Sequence, residues 1–130
     1  MKLKFTILLL LVSFFLQAQR NGLSDQAEIS VLTIGPGKLL NDSFGHSGFR
    51  VKDRTLGIDS IYNYGTFDFE DPNFYLKFAQ GKLNYRLSVN EYDDFFRYYM
   101  AQNRSVDEQI LNLTHEQKQA VFAFLNFICC

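Results

Sequence analysis

Apolar and polar positions follow one of two periods along most of the chain. Across 28–34, Ile29, Val31 and Thr33 fall on one face and Leu32 and Ile34 on the other, which predicts a strand partly buried on both sides. Gly35-Pro36-Gly37 ends it. Phe49 and Val51 alternate with Arg50 and Lys52 as a second strand, and 53–57 forms a turn. A third strand follows over 60–64, with Ile61 and Asn63 on one face, Tyr62 and Tyr64 on the other, and Gly65 closing it. The period then lengthens. Asp71 as N-cap and Pro72 at N1 start a helix carrying Phe74, Tyr75, Phe78 and Ala79, with Gly81 just past its end.

Leu83, Tyr85 and Leu87 alternate with Asn84, Arg86 and Ser88, which predicts another strand. Ser88 with Glu91 three residues on forms a capping box for a second helix, whose apolar face is Tyr92, Phe95, Phe96, Tyr99 and Met100. A short strand is expected over 109–113. Thr114 and Gln117 then cap a third helix that presents Ala120, Val121, Phe124, Leu125 and Ile128. Strands and helices separated by hairpin-length turns predict an α+β fold with a small antiparallel sheet packed on helices. The third helix runs into Cys129 and Cys130 with no capping residue, so the chain is expected to stop inside a larger domain.

The first 18 residues break both periods. A basic start with Lys2 and Lys4 leads into an apolar run over 5–16, and Ala18 supplies a small residue for cleavage before Gln19. This is the three-part pattern of an export signal. The run is shorter than the roughly 20 residues that span a bilayer. The chain therefore divides into a signal peptide, 1–18, and one mature domain, 19–130, on the far side of the inner membrane.

Composition narrows the chemistry. Without Lys2 and Lys4, 11 basic residues face 14 acidic ones, so the mature chain has no bulk attraction to nucleic acid. Two Cys and two His cannot form a zinc site at any standard spacing, because the Cys are adjacent and terminal. No cofactor is expected. Hydrophobic residues make up 47% of the chain, enough for one core, and 14 Phe and 7 Tyr supply rings in excess.

His46 lies in Ser43-Phe44-Gly45-His46-Ser47-Gly48, between two glycines at the entry to a strand. Two roles suit it: a general base working near neutral pH, or a structural imidazole bonded to a backbone carbonyl. Ser43 and Ser47 lack the Gly-x-Ser-x-Gly elbow of a nucleophile. His115 reads as a surface residue in the first turn of a helix, where the helix dipole disfavours an imidazolium. Cys129 and Cys130 sit at a helix C-terminus, which opposes thiolate formation. The ring-rich stretch over 62–69 suits either core packing or an acyl slot.

The runs Phe44-Gly45-His46-Ser47-Gly48-Phe49-Arg50-Val51, Tyr62-Asn63-Tyr64-Gly65-Thr66-Phe67-Asp68-Phe69, Pro72-Asn73-Phe74-Tyr75-Leu76-Lys77-Phe78 and Gly81-Lys82-Leu83-Asn84-Tyr85-Arg86-Leu87-Ser88 carry a resemblance. In order and spacing they resemble the N-terminal periplasmic domain of Lnb-type lipoprotein N-acyltransferases, over about 28–125. The resemblance implies a periplasmic, permuted papain-like fold and a Cys–His acyltransferase. Such an enzyme passes an acyl chain from a phospholipid to a cysteine thiol, and then to the α-amino group of a diacylated lipoprotein. The family's histidine falls on His46, and Ser47, Tyr62 and Tyr64 are the candidate substrate-binding residues. The family's cysteine lies in an aromatic Asn-Cys stretch that has no counterpart here, so the chain is expected to be inactive alone. A non-catalytic envelope module for protein or lipid binding is the alternative. The oligomeric state is left open.

N-terminal sequencing of exported protein is expected to begin at Gln19. An intact chain recovered from the cytosol, still starting at Met1, would refute the export signal.

Overall fold

The computed structural model describes residues 22–66, 72–82 and 86–129. The export signal, its cleavage residue Ala18, the 67–69 end of the aromatic run and Cys130 lie outside the described residues. Strands β1 (Glu28–Ile34), β2 (His46–Asp53), β3 (Ile58–Thr66), β4 (Arg86–Glu91) and β5 (Val106–Ile110) form one antiparallel sheet, in the order β4-β3-β2-β1-β5. Helices α1 (Phe74–Ala79), α2 (Tyr92–Ala101) and α3 (His115–Cys129) and a 3-10 turn at Leu40–Asp42 accompany it. The class is α+β.

The two-sided pattern of β1 explains the layers. Ile29 joins Leu23, Ala27, Val51, Tyr62 and Leu125 in a core beneath α3, while Leu32 and Ile34 join Ile61, Phe95 and Tyr99 in a second core beneath α2. Ile29, Leu32, Val51 and Ile61 have no exposed surface. Each such side chain contributes about 1.5–3 kcal/mol by leaving water. The sheet is thus sandwiched, and strand alternation assigns every residue to the α2 side or the α3 side.

The α2 side also holds an ion network. Arg50 is 6% exposed. It donates from Nε and Nη2 to Asp59 at 2.7 Å each, and from Nη1 to Glu108 at 3.1 and 3.2 Å. Ser30 Oγ donates to the same Glu108 at 2.6 Å. The Arg50 guanidinium lies 3.3 Å from the centroid of the Tyr92 ring. Three strands and the start of α2 therefore meet on one buried cation.

Several boundaries differ from the sequence pattern, each for a physical reason. Ser88 does not cap α2. It stands opposite Asn63 in the β3–β4 ladder, and its hydroxyl accepts from Thr66 Oγ1 at 2.8 Å, so strand pairing carries the chain on to Glu91. Glu91 is the N-cap of α2 and makes no side-chain cap bond. Residues 83–85 of the expected strand lie outside the described residues. β5 runs over Val106–Ile110 rather than 109–113, because it is an edge strand paired only to β1. Its Asp107 and Glu108 hide the strand period, and charges are common on an edge. Leu111 and Leu113, within the expected strand, lie beyond β5 and pack against the core beneath α3. Pro72 precedes α1, whose N-cap is Asn73; the expected cap, Asp71, lies outside the described residues.

Gly65 does not close β3 but sits inside it as a bulge. The register shifts between Tyr64, opposite Leu87, and Thr66, opposite Arg86, and Gly65 takes φ +107°, where a Cβ is strained. On α3, Leu125, Val121, Phe122 and Ile128 face the core, whereas Phe124 is exposed. On α2 only Phe95 and Tyr99 are buried. The Thr114–Gln117 capping box forms as expected: the Thr114 amide donates to Gln117 Oε1 at 2.9 Å, and the Gln117 amide to Thr114 Oγ1 at 3.3 Å.

Asp53, with no exposed surface, closes the N-terminal side of the fold. It accepts from the amide and hydroxyl of Ser24 at 2.6 and 2.8 Å, and from the amides of Thr55 and Leu56 at 3.0 and 3.2 Å. Burial pushes its carboxyl up, but these hydrogen bonds outweigh burial and hold it below 3.8. Its ionised form is therefore stabilised by folding, present above the unfolded pKa and lost as pH falls through the folded one. Asp53→Ala is expected to cost about 2–4 kcal/mol at pH 7, through amides left unpaired. Urea unfolding of the wild type is expected to weaken below pH ~4, and Asp53→Ala to show less of that weakening.

Candidate functional site

The chain turns from β1 into β2 through a tight approach that only glycine permits. Gly45 has φ +66°, and a Cβ there would lie 2.2 Å from the Ile34 carbonyl oxygen. His46 follows immediately, opposite Ile34 in the ladder and on the α2 side of the sheet. Two residues on, Gly48 leaves that side of β2 without a side chain, and Ile61 Cδ1 sits where its Cβ would crowd, at 3.0 Å. The gap admits the Phe95–Tyr99 face of α2.

Tyr99 therefore reaches His46. Its hydroxyl lies 3.0 Å from His46 Nε2, and the rings are tilted at 58° with centroids 5.4 Å apart. The Asn63 side chain interacts with both rings, and its Oδ1 is buried without a hydrogen-bond partner of good geometry. Arg104, 5% exposed, donates from Nε to the Gly35 carbonyl at 2.9 Å and stands 3.6 Å from Asp42. Its guanidinium lies 4.9 Å from the Tyr99 ring centroid.

These contacts set the charge state. Burial, and then the Arg104 cation, push the His46 imidazole below 6.5; Asp42 and Asn63 only partly oppose them. Burial pushes the Tyr99 phenol up to about 12. At neutral pH the pair is an uncharged imidazole beside an uncharged phenol. Such an imidazole keeps a free lone pair and can accept a proton.

His46 opens on a cleft of about 900 Å³, at the upper end of the usual range for small-molecule sites. Phe44, Tyr64, Phe78, Phe95 and Tyr98 give it an aromatic lining, and Ser47, Ser88, Asn90 and Asp94 add polar groups. Phe44 is 86% exposed, unusual for a ring that size in a packed domain.

The structure gathers His46, Ser47 and Tyr64 around this cleft. It sends Tyr62 elsewhere: that ring is buried in the core beneath α3, and its hydroxyl donates to Asn126 Oδ1 at 2.8 Å. Cys129 ends α3 close enough to the Tyr62 hydroxyl to raise its pKa, so it lies across the sheet from His46. His115 is half-exposed and contacts Asp25 at 3.0 Å. Tyr99, Asn63 and Arg104 escaped the sequence reading. The one available signal was Asn63, a polar residue sharing a strand face with the core residue Ile61. Among the described residues no three His, Cys, Asp or Glu side chains are grouped to hold a metal ion.

A profile of the Lnb N-terminal periplasmic domain matches residues 15–128. The chain belongs to the Lnb N-terminal periplasmic domain family. The match extends beyond the 28–125 stretch that carries the recognisable motifs, and it makes this a periplasmic domain. No curated protein and no solved structure matches the chain significantly. Within this Lnb domain, the most distinctive of the four motifs, Phe44 to Val51, delivers both His46 to the cleft and Arg50 to the ion network.

NMR titration is expected to give His46 a midpoint below 6.5, and Asp42→Asn is expected to lower it further by removing the anion that favours the imidazolium. A wild-type midpoint above 6.5 would contradict the charge state described.

Proposed function

We propose that this Lnb domain is the histidine-bearing part of a Cys–His lipoprotein N-acyltransferase with a permuted papain-like fold. The acyl chain passes from a phospholipid to a thiol and then to the α-amino group of a diacylated lipoprotein. The observation that carries this reading is an uncharged imidazole at the mouth of a large aromatic cleft, in a chain of this family. His46 takes the proton of the attacking thiol and later helps deprotonate the amine. Dividing amide formation into two acyl transfers replaces one difficult step by two easier ones. The exposed rings of Phe44, Tyr64 and Tyr98 suit contact with an acyl chain, and Ser47, next in the chain to the base, adds a polar group to the cleft lining.

Alone, the chain is proposed to be inactive. Cys129 is on the α3 side of the sheet, across it from His46. Among the described residues no helix is long and apolar enough to cross a membrane. A second reading, a lipid-binding envelope module without catalysis, is favoured by the same apolar cleft with no thiol among its described lining residues.

Incubation with a phospholipid bearing a photoreactive acyl chain is expected to label residues around Phe44 and Tyr64. Added diacylated lipopeptide is expected to remain unacylated. An acyl label released by hydroxylamine and lost in Cys129→Ala would overturn the inactive reading. Absence of any cleft labelling would overturn the lipid site itself. If a version carrying a downstream Cys segment labels the cleft but never acylates the peptide, the non-catalytic module is the correct reading.

A further inference from the structure

Among the described residues two arginines are buried, and they are matched very differently. Arg50, 6% exposed, donates from Nε and both Nη atoms to the carboxylates of Asp59 and Glu108. Arg104, 5% exposed, donates from Nε to the neutral Gly35 carbonyl at 2.9 Å, while Asp42 stands 3.6 Å from its Nη1. Its Nη2 is buried with no hydrogen-bond partner among the described residues. A buried cation is normally both paired and hydrogen-bonded. Resting on the reading of the cleft as a phospholipid site, we infer that Arg104 holds the phosphodiester of that lipid. A phosphate oxygen takes Nη2, and the acyl chains lie along the rings of the cleft.

Arg104 borders the same cleft as His46, and two elements hold it there. Asn103 takes φ +56°, in the left-handed region, and its amide donates to the Met100 carbonyl at 3.0 Å. The Arg104 amide donates to the Tyr99 carbonyl at 3.1 Å. Together these bonds end α2 in a Schellman turn. The backbone of Arg104 is thus bonded to the residue whose ring meets His46, and its guanidinium lies 4.9 Å from that ring's centroid. From the other side the β1–β2 connection closes on it: a Cβ at Gly37 would lie 3.3 Å from Nη1.

Asn63 Oδ1, also buried without a partner, belongs to a residue that borders the same cleft. Native interiors leave few such atoms, so two around one cleft point to a polar ligand there. A water molecule can serve an N–H but leaves the charge unanswered, whereas an anion answers both. Asp94, another residue bordering the cleft, is already paired with Arg97. The anion is a phosphodiester because an acyl donor must also bring an ester to His46. In a glycerophospholipid only the glycerol backbone separates the phosphate from an ester, and Arg104 and His46 both lie against the Tyr99 ring. A fatty-acid carboxylate would occupy the cation and bring no ester.

Binding has an electrostatic signature. Arg104 is one of the two causes that hold the His46 imidazole below 6.5, against Asp42 and Asn63; Tyr98, Tyr99 and Asp94 complete the surroundings. A phosphodiester beside Arg104 offsets that cation and favours the imidazolium, so the His46 midpoint rises when the lipid binds.

The test uses the full chain and dihexanoylphosphatidylcholine below its micelle concentration. NMR titration is expected to give His46 a higher midpoint with the lipid than without it. Arg104→Gln is expected to raise the midpoint of the free protein, to weaken lipid binding about tenfold or more, and to abolish the lipid's effect on the midpoint. Monohexanoylglycerol, which has an ester and a chain but no phosphate, is expected to leave the midpoint unchanged. Inorganic phosphate and hexanoate are expected to bind about tenfold or more weakly than the lipid. A lipid that leaves the wild-type midpoint unchanged, or that binds Arg104→Gln as tightly, overturns the proposal. So does inorganic phosphate or hexanoate binding as tightly as the lipid, which would make this a free-anion or fatty-acid site. The wild-type midpoint decides even if Arg104→Gln does not fold. If the photoreactive phospholipid labels the cleft equally in wild type and Arg104→Gln, the head-group site falls and the acyltransferase reading stands. If the midpoint responds as expected but the version with a downstream Cys segment never acylates the peptide, the head-group site stands and the acyltransferase reading falls.

Discussion

Arg50 cannot leave the middle of the sheet and cannot lose its charge there, and much of the architecture follows from that. A guanidinium 6% exposed must be matched on several sides at once. Asp59 matches it from β3, Glu108 from β5 and the Tyr92 ring from α2. The last contact decides where α2 begins. Four residues before Arg50 on the same strand face is His46, about 13 Å away at the rise of a strand. Seven residues after Tyr92 on the same helix face is Tyr99, about 10 Å along the axis. Those lengths agree closely enough that fixing Tyr92 over Arg50 brings Tyr99 against His46. The ion network and the candidate site are the two ends of one strand–helix contact.

The two faces of the sheet divide the work. Beneath α3 the contacts are apolar, with Ile29, Val51, Tyr62 and Leu125 closed off from water. Beneath α2 the apolar contacts of Ile34, Ile61 and Phe95 are flanked by the ion network on one side and the cleft on the other. The bulge at Gly65 serves the second face: by adding one residue to β3, it turns Thr66 onto the side of Asn63 and Ser88, where its hydroxyl donates to Ser88 at the rim of the cleft. Bulges recur beside functional sites because they redirect side chains without interrupting the sheet.

What could be read from the sequence follows the same division. The strand β1, both capping residues of α3 and the left-handed glycine after α1 announced themselves through local rules, because local geometry decides them. His46 stood out through its flanking glycines. Its partners did not, because Tyr99 looks like any core residue on a helix and Arg104 like any loop cation. Their meaning comes from β2 and α2 lying side by side, a relation between residues 53 apart that no local period encodes. Ser88 was misplaced for a related reason. Its spacing to Glu91 satisfies a helix cap, but pairing with β3 supplied more hydrogen bonds than one cap could. Tyr62 and Tyr64 look equivalent in sequence, yet Tyr62 fills the core under α3 while Tyr64, two residues nearer the end of β3, is 42% exposed and borders the cleft.

The charge state of His46 bears on how a thiol can be used beside it. Some cysteine enzymes rest as a thiolate–imidazolium pair, which requires the imidazole to hold its proton before substrate arrives. Here burial and Arg104 both act against that proton, and Arg104 is tied down by the Gly35 carbonyl and Asp42. The free domain therefore presents a base, not a preformed ion pair. A thiolate brought within about 4–6 Å would supply the opposite charge that burial and Arg104 deny, and would raise the imidazole pKa. On the proposed reading the proton would then move as the nucleophile is positioned, and His46 would stay inert until a thiol reached it. Under the proposed Cys–His reading, such a site would tie activation to assembly, because the approach that delivers a sulfur would also restore the basicity of the nitrogen that activates it.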